Sequence, residues 1–117
     1  MAMADSSPRF AELHARYAAS LPAKRRALDA AWQAFASAPD EGTFRELQLA
    51  VHRLAGSARA YGYVSLGARA QAADALLIRE TVPMRDPGAF VQQIAEPVRV
   101  LLEGLASAAE AGSGRTL

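Results

Sequence analysis

Apolar residues recur at helical spacing along most of the chain. The clearest run is Phe44, Leu47, Val51, Leu54, Ala58 and Tyr61, spaced 3, 4, 3, 4, 3, which is the seam of a helix packed in a bundle. It predicts a helix from about Thr43 to Tyr61, with Gly62 as the residue just past its C-terminus. Leu66, Ala70, Ala73 and Leu77 continue at 4, 3, 4, with Ser65 as a candidate cap. Asp86-Pro87 is a cap followed by a first-turn proline, and it opens a helix carrying Phe90, Ile94, Val98, Leu101 and Leu105. Pro97 falls inside that helix and predicts a kink. Near the start, Ser7-Pro8 gives the same opening signal, and Phe10, Leu13 and Tyr17 line one face of a short first helix ending near Ser20. Leu21-Pro22 then predicts a new helix with Leu28, Ala31, Trp32 and Phe35 on its stripe. Ala38-Pro39-Asp40-Glu41-Gly42 and Val82-Pro83-Met84-Arg85 read as breaks.

The expected architecture is therefore all-α: an antiparallel four-helix bundle with a short additional N-terminal helix acting as a lid. Trp32, Phe35, Phe44 and Phe90 are the expected aromatic core. Composition supports this reading. The chain has 28 alanines against 8 valines plus isoleucines, favouring the best helix former over strand formers. A length of 117 residues fits one domain, 1–117, with flexible ends expected at 1–6 and 112–117. Met1 and Met3 lie so close together that Met3 is a candidate native start.

Charge and composition then exclude several functions. Thirteen basic and 12 acidic residues leave a net charge of +1, too little for a global field that attracts nucleic acid or anionic lipid. The Lys24-Arg25-Arg26 run reads as a solvated helix face. The absence of cysteine excludes a disulfide scaffold, a thiolate metal site and a cysteine nucleophile. No apolar run approaches the ~18–20 residues of a membrane span, and the first residues lack a signal-peptide pattern. A cytoplasmic monomer without bound metal or cofactor is expected.

Enzyme motifs are nearly absent. No Glu-x-x-His pair supports a di-iron bundle, and no glycine-rich loop cradles phosphate. The chemistry that remains centres on Leu49-Ala50-Val51-His52-Arg53-Leu54-Ala55-Gly56-Ser57-Ala58-Arg59-Ala60-Tyr61-Gly62. At ~100° per residue, His52 projects roughly 130° from the core stripe, towards solvent. Gly56 lies one turn on, and Arg45, Leu49 and Arg59 border the same strip. A glycine inside a helix costs about 0.5–1 kcal/mol relative to alanine, so an exposed one beside an exposed histidine calls for a reason. Leaving room beside the imidazole is one such reason; close helix packing is another. Leu49 offers apolar contact surface to a partner. Ser57 either bonds back to a carbonyl of the preceding turn or shapes the site. His14 has no comparable setting and reads as a surface residue.

The run His-Arg-Leu-Ala-Gly-Ser-Ala-Arg-Ala-Tyr-Gly from His52 to Gly62 resembles the signature of histidine-containing phosphotransfer domains of bacterial phosphorelays, His-x-Leu-Lys-Gly-Ser-[SA] followed by an apolar residue and glycine. Leu66, Ala70 and Ala73-Asp74 match the following family helix, and the likeness extends upstream to Phe35. The resemblance implies that His52 accepts a phosphoryl group from a receiver-domain phospho-aspartate and passes it to a response regulator. An imidazole, with a pKa near 6.5, keeps a nucleophilic nitrogen at neutral pH. Mg²⁺ and most charge stabilisation are then expected on the receiver, leaving this chain a carrier without catalytic activity of its own. One departure stands out: the family's lysine three residues after the histidine is Ala55 here. Arg59, within about 20° of His52 on the helical wheel, is the cation placed to substitute; the alternative is an ordinary surface arginine. Two other functions remain open: a docking module that binds a receiver or an enzyme without phosphotransfer, and a structural bundle carrying the motif by chance. Only phosphotransfer requires the histidine.

Overall fold

In the computed structural model, residues 8–80 and 84–114 are described, with side chains through residue 111. Four helices follow one another: α1 (Pro8–Ser37), α2 (Glu41–Ala60), α3 (Val64–Arg79) and α4 (Pro87–Gly114). No strand occurs among the described residues. Each helix packs on two neighbours, α1 on α2 and α4, and α3 on α2 and α4, while the backbones of the diagonal pairs stay apart. The apolar faces meet in a central core of Leu21, Leu28, Phe35, Phe44, Leu47, Val51, Leu77, Ile94, Val98, Leu101 and Leu105. Phe35 packs against both Phe44 and Phe90, linking three helices through ring contacts near 6.1 Å. Trp32 stands at the edge of this core, half-buried.

The N-terminal half differs from expectation. There is no separate short helix: α1 runs unbroken from Pro8 to Ser37 with Pro22 inside it. An interior proline costs about 3 kcal/mol. However, Tyr17, Leu21, Leu28 and Phe35 lie on one continuous buried face across Pro22. Burying each large apolar side chain contributes roughly 1.5–3 kcal/mol, so the stripe outweighs the break. The proline ring itself sits on the exposed side.

Helix ends also refine the sequence picture. Asp40 caps α2 through a capping box, accepting from Thr43 N at 2.8 Å while its own N–H donates to Thr43 Oγ1. That starts α2 two residues earlier than the apolar pattern suggests. Gly62 terminates it with φ of +87°, a conformation that favours glycine. Ser65 does not cap α3; the helix begins at Val64 behind Tyr63, which makes no side-chain cap bond. Asp86 does cap α4, accepting from Ala89 N at 3.1 Å. Pro97 lies inside α4, which continues through Gly112–Gly114. The expectations for residues 1–6, for Ser7 as a cap, for 115–117 and for Val82 and Pro83 of the Val82–Arg85 break lie outside the described residues.

Candidate functional site

The bundle exposes one side of α2 between α1 and α3, and His52 stands on it. Val51 and Leu54, its neighbours on the seam, anchor α2 in the core, so the backbone under His52 is fixed by packing. α3 flanks one edge. Gln48 reaches Leu77 O at 3.5 Å, His52 meets Asp74, and Arg59 lies against Gly67. These pairs step in opposite directions along the two helices. On the other edge, Ser57 Oγ and the Tyr17 hydroxyl of α1 share a hydrogen bond of 2.8 Å.

The central contact is His52 Nδ1 to Asp74 Oδ2 at 2.9 Å. The imidazole remains 66% exposed, whereas the carboxylate side chain is only 11% exposed. An ionised carboxylate can only accept, so Nδ1 is the donor and carries the proton. In the neutral ring the lone pair then belongs to Nε2, on the solvent side. Asp74 thus selects the tautomer and orients the ring. Its other oxygen, Oδ1, is buried without a hydrogen-bond partner. Keeping a half-satisfied carboxylate under an exposed histidine is costly, which marks the pair as more than surface decoration.

Around the imidazole the surface is open and partly apolar. A Cβ on Gly56 would meet nothing within 4 Å, so Gly56 leaves space beside His52 and does not serve helix packing. A depression of about 420 Å³ is lined by Arg45, Gln48, Leu49, His52 and Ile78. Leu49 and Ile78 are 48% and 59% exposed, an apolar lip beside a nucleophilic nitrogen. Arg45 is held by Glu41 at 2.7 Å. Among the described residues Ser57 hydrogen-bonds to Tyr17 and not to a carbonyl of the preceding turn, and so ties α2 to α1. Ala55 is buried between helices.

His14 is not a plain surface residue. It is half-buried, and its ring stacks on Tyr63 at 5.5 Å. Tyr63 also contacts Tyr17, which stacks on Tyr61 at 4.5 Å. This aromatic cluster clamps α1 to the α2–α3 turn. Burial pushes the Tyr17 hydroxyl above the usual tyrosine range, against the opposing pull of its Ser57 bond.

Gln48, Asp74 and Ile78 are residues of the site that sequence reasoning did not assign to it. Asp74 had a signal: a lone carboxylate between Ala70, Ala73 and Leu77 at the edge of a buried stripe. Ile78 is an isoleucine just off that stripe. Among the described residues, no group of His, Asp and Glu could hold a metal ion. No helix there is long and apolar enough to cross a membrane.

The site is thus a helical bundle that presents an exposed imidazole, oriented from below by a largely buried carboxylate. The model of the Hpt domain matches residues 12–112, and the chain belongs to this histidine phosphotransfer family. No curated protein and no solved structure gives a significant match. Hpt domains serve phosphorelays, where they interact with receiver domains.

Proposed function

We propose that His52 is the phosphoryl acceptor of this domain, taking the group from the phospho-aspartate of a receiver domain and returning it to the aspartate of another. The observation that carries this reading is the His52–Asp74 bond, which leaves Nε2 as the exposed nucleophile. In the forward step, the Nε2 lone pair attacks phosphorus. The acyl-phosphate P–O bond breaks, its electrons return to the receiver carboxylate, and an N–P bond forms. No proton has to leave. The ring becomes cationic as it is phosphorylated, with Nδ1–H still donating to the Asp74 carboxylate, which stabilises that charge. Reversal delivers the group to the second receiver.

Mg²⁺ and the remaining electrostatic stabilisation belong to the receiver's site, so this chain acts as a carrier rather than as an enzyme. Leu49, Ile78 and the open surface at Gly56 supply the apolar centre of the receiver interface, with Arg45 on its rim. The domain acts as a cytoplasmic monomer in this reading. The test is transfer from a ³²P-labelled receiver domain to the wild type, His52→Gln and His14→Gln. The proposal expects label on the wild type and on His14→Gln only. Label retained by His52→Gln overturns it.

A further inference from the structure

Phosphorylation of His52 creates an electrostatic problem on this surface. A phosphorylated side chain carries roughly two negative charges near neutral pH, here beside the carboxylate of Asp74. Several cations of the domain are already engaged. Arg16, Arg45 and Arg99 pair with glutamates, Arg69 donates to Val100 O, and Lys24 donates to Ser20 Oγ. Two arginines of α2 flank His52 with guanidinium groups that make no hydrogen bond or ion pair among the described residues: Arg53 and Arg59. Arg53 lines the groove between α1 and α2 together with Lys24 and Ser57, on the side away from Asp74. Arg59 lies on the α3 side, in the groove that holds the His52–Asp74 pair.

There the structure makes a specific allowance for it. A Cβ on Gly67 of α3 would collide with Arg59 Cγ and would stand 3.4 Å from both Arg59 Cδ and Arg59 N. The missing side chain at Gly67 therefore forms a slot that holds the arginine stem in the α2–α3 groove while its head stays free. Helical side chains lean towards the helix N-terminus, which from Arg59 is the direction of His52. Seven residues, about 10.5 Å of helix rise, separate the two, and the intervening turn offers no obstacle. Ala55 is buried and Gly56 has no side chain.

We propose that Arg59, seated in the Gly67 slot, is the cation that binds the phosphoryl oxygens on His52. Gly67 is its positioning residue. This rests on His52 being the phosphoryl acceptor and adds which residue of the chain neutralises the product.

The experiment phosphorylates the purified protein with phosphoramidate, a small donor that needs no receiver, and follows the phosphohistidine by ³¹P NMR. Arg59→Gln keeps most of the stem but removes the charge. It should shorten the phosphohistidine half-life or slow labelling about two- to five-fold, the effect of an exposed charge-assisted contact. The difference from wild type should shrink at high salt, where such a contact is screened. Gly67→Ala displaces the stem and should act in the same direction. Combining it with Arg59→Gln should add nothing, because both remove one interaction. Thermal melting of each variant separates this from loss of fold. Arg59→Gln behaving as wild type at low salt overturns the Arg59 assignment while leaving His52 as acceptor. A salt-independent change, or additive Gly67→Ala and Arg59→Gln effects, also overturns it. Absence of label on the wild type overturns the reading of His52 itself, and the Arg59 assignment with it.

Discussion

Replacing Asp74 with asparagine isolates what the buried carboxylate does for His52. In the wild type the carboxylate accepts from Nδ1–H at 2.9 Å and stabilises the cation formed when Nε2 is phosphorylated. A hydrogen bond to a charged group contributes about 1.5–3 kcal/mol. Because the imidazole is 66% exposed, solvent screening brings this towards ~1–1.5 kcal/mol. At about 1.4 kcal/mol per tenfold change in rate, Asp74→Asn should slow phosphorylation of His52 by roughly five- to tenfold. The loss grows if the amide turns its NH₂ towards Nδ1. That arrangement moves the ring proton to Nε2 and removes the nucleophilic lone pair, the tautomer effect known from catalytic triads. Stability should go the other way. Asp74 Oδ1 is buried without a partner, and a neutral side chain relieves the cost of desolvating a half-satisfied charge, so the melting temperature should hold or rise. The assay is the initial rate of labelling by phosphoramidate, run beside thermal melting. Labelling of Asp74→Asn at the wild-type rate would refute the role assigned to the carboxylate. A collapse in melting temperature would show instead that the pair is structural.

Three further outcomes follow from the same geometry. Gly56→Ala should stabilise the domain by about 0.5–1 kcal/mol, since its Cβ meets nothing within 4 Å, whereas Gly56→Arg should block receiver-dependent transfer; melting curves and transfer rates check the two. Leu49→Ser combined with Ile78→Ser removes the exposed apolar lip and should weaken transfer from a receiver more than labelling by a small donor. Burial holds the Tyr17 hydroxyl above its ordinary value of 10 in the folded state, so the unfolded chain loses this proton first. Stability present below about pH 10 should therefore fall as pH rises through the folded value; Tyr17→Phe should flatten that fall and cost about 0.5–1.5 kcal/mol with the Ser57 bond, as read from denaturant titrations across alkaline pH.

Much of this was legible in the residues, for physical reasons that can be named. The α2 seam fixes its own phase: once Phe44, Leu47, Val51, Leu54 and Ala58 face inward, His52 and Gly56 must face out. Local rules failed where tertiary burial competes with them. Pro22 is a strong local break signal, yet the stripe from Tyr17 to Phe35 carries α1 through it. Ser65 has a capping side chain that α3 leaves unused. His14 and Ser57 acquire their partners only when α1 meets the α2–α3 turn. The partner of His52 was hardest to foresee, because Asp74 lies 22 residues away on another helix and its pairing depends on the register between α2 and α3. The slot for Arg59 depends on that register too.

The most direct test of the account is the identity of the phosphorylated atom. ¹H–¹⁵N NMR of ¹⁵N-labelled protein, before and after phosphorylation, reports which nitrogen of which histidine gains the group. The account predicts phosphorylation at Nε2 of His52, with Nδ1 still protonated towards Asp74 and the resonances of the His14 ring keeping the pattern of an unmodified imidazole. A phosphoryl group on Nδ1 of His52, or on His14, would contradict it.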